Sequence, residues 1–358
     1  MQLFLDANAH LPIHPKAIDA FVQFNKSIAG HGNAMASSRP GREAASIIEE
    51  SREKIAKLIG AKNSNQIIFT STCTQACEWA LEILKSRNYN KVYYSTIEHP
   101  AVSIKSTELF GNNILIVSKN GEINCTFNPE PNSSMICIYV NNEIGTIQKI
   151  SDIKVPFFSD MSQALGKIPI KVSNINNLKL ATFGAHKFGG PVGVGILYVQ
   201  DTDWWKEFGS GSRYYLDRSG TPDAGLILAS AVALEEAIKT ILFRYEKAIC
   251  FSSVLENGLE EFGLKVIAKN YNKIPYTSFI KIGKKAGPYL MSQLESDGIF
   301  IGLGSACGAM HTASSPIMSA LGEGGLAHDY IRISQWGNYG EEEAKYVLKA
   351  LKKYIPKH

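Results

Sequence analysis

The 358-residue sequence has no apolar run long enough to cross a bilayer, so a membrane role is not expected. It also lacks any basic block. Its 37 Lys and Arg against 33 Asp and Glu leave a net charge of only +4, with no stripe that would indicate nucleic acid. Cysteine is sparse: Cys73, Cys77, Cys125, Cys137, Cys250 and Cys307 form no C-x-x-C pair and no disulfide-dense spacing, which suits a reducing compartment. Cys73 and Cys77 stand four apart, but with no His or Cys nearby they read as small buried side chains, and no metal is expected. The opening "MQLFLDANAHLPIHP" lacks the basic flank and long apolar stretch of a secretory signal, so a cytoplasmic location is expected. Repeats, low-complexity tracts and Pro-rich linkers are absent too. What is present is an ordinary globular composition, 45% apolar and 20% charged, in a chain long enough for two domains.

Short β-branched or aromatic runs alternate with helical patterns through "QIIFTS", "KVYYS", "NILIVS", "MICIYV", "VPFFSD", "LKLATF" and "VGILYV". That alternation predicts an α/β fold with a mainly parallel sheet. From about Pro222 to Gly263 the apolar spacing predicts one long helix. The runs after it, "LKVIA", "TSFIKI", "IFIGL" and "DYIRIS", suit a smaller α+β domain. The expected division is a large domain over 14–240 and a small one formed by 1–13 and 241–358. Two connections, 121–134 and 141–155, look too short or too rich in Asn and Pro for crossover helices. Part of one sheet face is therefore expected to lie open to a partner or a rearranged segment.

Ligands of α/β sheets sit beyond the carboxyl ends of the strands, where unusual polar residues collect in this sequence. Ser71, Thr72 and Thr74 end one strand and start a helix whose free N–H groups suit a phosphate. His99 ends another strand, "YVNNEIG" offers Asn141, Asn142 and Glu143, and "FFSDMSQALGK" offers Asp160 and Gln163. Lys187 follows "LKLATF". Singly, each has a plainer reading: Lys187 as a solvated charge, Asp160 as a helix cap, His99 as a satisfied core residue. Together they suit pyridoxal phosphate, with a lysine to form a Schiff base, an acid for the ring nitrogen and a helix N-terminus for the phosphate. In that arrangement His99 stacks on the ring and Gln163 bonds the phenolic oxygen.

Seven segments, "IEHPAV", "VNNEIGTIQ", "DMSQALGKIPI", "AHKFGGPVGVGILYV", "RSGTPD", "GSAC" and "LAHDYIRIS", make nearly the whole chain resemble cysteine desulfurases of the class V aminotransferase-like superfamily. The resemblance implies a homodimeric fold-type I enzyme with a seven-stranded large-domain sheet, using pyridoxal 5'-phosphate to convert L-cysteine to L-alanine. It assigns Lys187 the Schiff base, Asp160 the pyridine nitrogen, Gln163 the phenolic oxygen, and His99 ring stacking with proton transfer. Cys73, Thr74 and His186 match phosphate-binding positions, and Thr221 matches one that reaches the other subunit's cofactor. Asn142 and Arg332 match substrate-orienting positions, Arg332 by pairing with the carboxylate. In "GLGSACGAM", Cys307 sits among residues with little bulk to fix it. It matches the nucleophile that takes the sulfur as a persulfide, in a segment like that of the long-loop subgroup.

The sequence departs from the family at Gly184, where a phosphate-binding serine is usual, and at "TCT" (Thr72 to Thr74), where the hydroxyl of Thr72 is a candidate to compensate. "NAMASSR" from Asn33 and "AHLP" from Ala9 also differ. The expected function is a desulfurase passing sulfur to an acceptor protein, such as an iron–sulfur scaffold or a thiolation enzyme. The alternatives are a selenocysteine lyase or aminotransferase on the same scaffold, or a non-catalytic assembly platform.

Overall fold

The structure, a computed structural model, describes all residues except 116–120, 126–127, 209–220, 285, 305–315 and 356–358. In chain order the first elements are β1 (Leu3–Leu5), α1 (Pro15–Lys26), α2 (Arg39–Ile59), β2 (Ile67–Thr70), α3 (Cys73–Ser86), β3 (Lys91–Ser95) and α4 (Pro100–Phe110). There follow β4 (Ile114–Leu115), β5 (Ser133–Ile136), β6 (Phe157–Asp160), β7 (Leu178–Gly184), β8 (Gly195–Val199) and α5 (Thr202–Phe208). The remainder is α6 (Ala224–Lys239), α7 (Ile241–Glu261), β9 (Lys265–Ile267), β10 (Thr277–Lys281), α8 (Ala286–Ser296), β11 (Ile299–Leu303), α9 (Pro316–Ala320), β12 (Tyr330–Ser334) and α10 (Glu341–Tyr354).

The predicted α/β sheet has seven strands in the order β2-β8-β7-β6-β5-β3-β4. From β7 to β4 every pairing is parallel, whereas β8 runs antiparallel to both neighbours. The ten residues between β7 and β8 are too few for a crossover, so β8 has to turn back. A second sheet, ordered β1-β11-β12-β10-β9, joins the first residues of the chain to its last third. Among the described residues no helix is long and apolar enough to cross a membrane.

Period-two alternation sends neighbouring strand residues to opposite faces. Phe158, Leu180 and Leu197 pack with Ala76, Ala80 and Leu84 of α3. Phe157, Ala181 and Ile196 instead join a cluster with Ile48 and Ile55 of α2 and with Ile227 and Leu234 of α6. Burying each such Phe contributes about 1.5–3 kcal/mol. The expected open sheet face is therefore corrected: every residue of β5, β6 and β8 is buried within the single chain. No α-helix lies between β5 and β6, as anticipated, but α2 and α6, distant in sequence, supply the cover.

Two element boundaries also differ from expectation. The long helix is two, α6 and α7, separated at Thr240, whose backbone leaves helical geometry (φ −104°, ψ 4°). The strand expected at "MICIYV" spans Ser133–Ile136; beyond it the Cys137 and Tyr139 N–H groups still donate to the Phe158 and Asp160 carbonyls of β6, while on the other side the Ile138 N–H donates to the Glu98 side chain.

Gly195 faces Thr70 across the β2–β8 pair, and a Cβ there would lie 2.3 Å from both Thr70 Oγ1 and the Thr72 carbonyl oxygen. Gly195→Ala is expected to destabilise the protein by about 1–3 kcal/mol, read from the denaturant midpoint. An unchanged midpoint would show that the β2 end yields freely.

Candidate active site

The strands that share one direction end at a cleft of about 210 Å³. The loop after β3 contributes Glu98 and His99, the loop after β5 Asn142 and Glu143, and the end of β6 Asp160, Ser162 and Gln163. His186 and Lys187 arrive from the turn after β7, and Cys73 and Thr74 from the start of α3. Arg332 reaches in from β12 of the second sheet, and Asn8 from the segment after β1. Nine residues predicted from sequence thus share one cleft: Cys73, Thr74, His99, Asn142, Asp160, Gln163, His186, Lys187 and Arg332.

Lys187 is not a solvated charge. Its Nζ donates to the carbonyl oxygens of Asn8 (2.6 Å) and Ala9 (2.7 Å). Burial first, and then the Arg332 guanidinium, lower its pKa from an ordinary 10.5 to about 8, against the opposing pull of Cys73, Asp160 and Asp6. An amine so placed is available as a nucleophile near neutral pH.

Asp160 is buried, and its Oδ1 accepts the Ser162 N–H at 2.9 Å. His99 caps α4, with Nδ1 accepting the Ala101 N–H at 3.1 Å. Burial lowers its pKa, the Lys187 charge adds to this, and Asp160 opposes it. With Nδ1 accepting, the neutral ring carries its proton on Nε2. The cap and the cleft position belong to the same side chain. Gln163 donates from Nε2 to the Asn8 carbonyl at 2.9 Å.

The start of α3 suits a phosphate. Among the described residues, the backbone N–H groups of Cys73 and Thr74 have no acceptor, and both residues line the cleft. Thr72 caps the helix, its Oγ1 accepting the Gln75 N–H at 3.0 Å, and does not line the cleft, so it is not placed to compensate for Gly184. The nearer hydroxyl is Ser162, 3.0 Å from Cys73 Sγ. A Cβ at Gly184 would sit 3.1 Å from the His186 ring and 3.3 Å from Cys73 Cβ, so a serine there would need the ring and the Cys73 side chain to give way slightly. His186 stacks on His10 at 6.0 Å, and burial, then Lys187 and His10, lower its pKa to about 4.

Arg332 is 1% exposed and pairs with Asp6 Oδ1 at 2.7 Å, while its Nη1 donates to the Asn142 carbonyl at 3.2 Å. Its Nε has no partner among the described residues, leaving a buried N–H for an incoming carboxylate. The Lys187 amine, the Asp160 carboxylate, the free helix N–H groups and this orphaned donor together fit pyridoxal phosphate and an amino-acid substrate.

Two predicted residues stand apart. Thr221 is exposed and does not line the cleft. Cys307 lies outside the described residues. Sequence reading missed Glu98, Asn8 and Lys167. Glu98 is buried, with Oε1 accepting from Ser95 Oγ (2.7 Å) and the Ile138 N–H (3.0 Å). Burial pushes its pKa up to about 7, which those two hydrogen bonds oppose and the Asp160 charge reinforces. Glu98 directly precedes His99. Lys167 stands four residues after Gln163 in "FFSDMSQALGK", a proximity that was available as a signal. Asn8 had none, since only the second sheet brings it to the cleft.

The family described as Aminotransferase class-V matches residues 3–346. The chain is 30% identical to the cysteine desulfurase IscS of Dictyoglomus turgidum, over 99% of this chain and 95% of that one. Among solved structures it is similar to a NifS-like protein with a TM-score of 0.85 and 25% identity, covering 99% of both chains. It is also similar to SspA in complex with cysteine, with a TM-score of 0.78 and 25% identity, covering 95% of this chain and 100% of that one.

The lowered amine pKa sets a pH profile. Deprotonation of Lys187 proceeds as pH rises through about 8, so capture of an added aldehyde by the apo-protein is expected to climb through about pH 8 and level off above about pH 9. Absorbance of the captured cofactor reports it, and Lys187→Ala abolishes it. A rate still climbing steeply at about pH 10 would mean the amine is unperturbed.

Proposed function

The chain belongs to the aminotransferase class V family, and we propose that it is a pyridoxal-phosphate-dependent cysteine desulfurase converting L-cysteine to L-alanine. The observation that carries this reading is the buried, pKa-lowered Lys187 amine sharing a cleft with Asp160, the open start of α3 and the orphaned Arg332 Nε.

Lys187 would hold the cofactor covalently, and Asp160 would keep its ring nitrogen protonated. Gln163 would donate to its phenolic oxygen and His99 would lie against its ring. Cys73 and Thr74, with Ser162 and His186, would hold the phosphate. When bound, the cofactor supplies an electron sink for negative charge developing at the substrate Cα.

Arg332, with Asn142 beside it, binds and orients the substrate carboxylate. The Lys187 amine, once free, takes the Cα proton, and His99 Nε2 holds a second proton close by. The Cys307 thiolate attacks the substrate sulfur, the carbon–sulfur bond breaks with its electron pair passing to Cβ, which takes up a proton to become the methyl group of alanine, and the sulfur remains on Cys307 as a persulfide. Residues flanking that segment support this assignment: Gly302 stands opposite Arg332 in the strand register, and Ile317 of α9 lines the cleft.

The same reading extends to assembly and destination. The persulfide passes to a sulfur-acceptor protein such as an iron–sulfur scaffold or thiolation enzyme. The chain works as a cytoplasmic homodimer, and exposed Thr221, outside its own cleft, reaches the cofactor of the second copy. Residues 14–240 form the cofactor-binding domain, and 1–13 with 241–358 form the small domain.

Purified protein is expected to be yellow and to release alanine from L-cysteine, with Lys187→Ala inactive. Cys307→Ala is expected to lose persulfide and sulfide formation. Full sulfide production by that variant would remove Cys307 as nucleophile, and indifference of transamination to it would favour an aminotransferase. Arg332→Lys keeps charge but loses the planar fork, so KM for cysteine should rise about tenfold or more with a smaller change in kcat.

A further inference from the structure

Lys167 has no part in the chemistry described above, yet it is 0% exposed. Burying an amine is expensive, and a position that needed only volume would take Met or Leu. Among the described residues it has no carboxylate partner. Its Nζ donates instead to two amide oxygens, Gln163 Oε1 at 2.6 Å and Asn8 Oδ1 at 2.7 Å. Burial, followed by the charges of Lys187, Arg332 and Arg244, lowers its pKa well below the ordinary range. A neutral amine has two N–H groups, which matches the two acceptors, whereas an ammonium would leave a third donor unpaired.

The two ends of a glutamine amide have nearly the same shape, so something must decide which end faces a cleft. Here Gln163 Oε1 is held by Lys167 and Nε2 points to the Asn8 carbonyl. A flip would set Gln163 Oε1 against the Asn8 carbonyl oxygen and remove the acceptor that Gln163 offers to Lys167. Asn8 is fixed in the same way: Oδ1 takes Lys167, while Nδ2 donates to the Asn142 carbonyl (3.0 Å) and Thr277 Oγ1 (2.8 Å). The Asn8 carbonyl in turn accepts the Lys187 amine.

We propose that Lys167 is a positioning residue that fixes the Gln163 and Asn8 amides, so that Gln163 offers a donor and not an acceptor to the cofactor's phenolic oxygen. The proposal rests on the pyridoxal phosphate reading above. A donor at that oxygen spreads its negative charge; when the donor is lost, charge concentrates there and the bound cofactor holds its proton to higher pH.

The test is the pH midpoint of the bound cofactor's absorbance in the full chain, read with cofactor affinity by titration. Lys167→Met is expected to raise the midpoint by about one unit, a tenfold change in proton affinity, and to weaken cofactor binding about tenfold. Gln163→Leu is expected to raise it similarly, and adding Lys167→Met to Gln163→Leu should shift it little further. An unshifted midpoint in Gln163→Leu would defeat the assigned role of Gln163 in the cofactor reading. A shift in Gln163→Leu without one in Lys167→Met would overturn the role of Lys167 alone. A Lys167→Met shift that persists at full size in the Gln163→Leu background would also overturn it, since the lysine would then act by charge or packing. If Lys167→Met does not fold, Lys167→Gln carries the same comparison under the same criteria.

Discussion

The carbonyl oxygen of Asn8 is the acceptor on which the cleft depends. It receives the Lys187 amine at 2.6 Å and the Gln163 amide at 2.9 Å. Asn8 can do this because β1 pairs with β11 in the second sheet, which carries the first residues of the chain to the ends of the large sheet. Asp6, two residues earlier, pairs with Arg332 on β12. One short N-terminal segment therefore sets both the amine and the guanidinium, and the two sheets meet where the chemistry is done.

Electrostatics within the cleft follow from burial. The groups lining it are largely buried, so their charges are poorly solvated and neighbouring cations penalise one another. Lys187 and His186 are both depressed by burial first, then by nearby positive charge, and Lys167 in the same way. Glu98, against Asp160, is driven in the opposite direction for the same reason. The imidazoles are thus held largely neutral near physiological pH, and the Lys187 amine, at about 8, gives up its proton far more readily than an ordinary lysine, as a nucleophile requires.

Much of this was legible in the sequence. Strand alternation predicted the α/β sheet, and β11 begins where "IFIGL" announces it. Lys187, Asp160, Gln163 and His99 stood out because each follows an apolar strand run. The open sheet face did not survive, because cover came from α2 and α6, whose contacts are long-range and leave no local pattern. Thr72 stands outside the cleft for a related reason: the fold uses it as the cap of α3, a position its neighbours in sequence do not reveal.

What the sequence by itself determined is the inventory: which strands form, which side chains stand at their ends, and which covalent chemistry those side chains support. Periodicity and residue type are local properties, and they read directly. Tertiary structure alone decided the protonation state of Lys187, the orientation of the Gln163 amide, the entry of Asn8 into the site and the burial of Lys167 behind it. Those depend on burial and on hydrogen bonds between residues up to 179 positions apart, as for Lys187 and Asn8, and no window along the chain contains both partners.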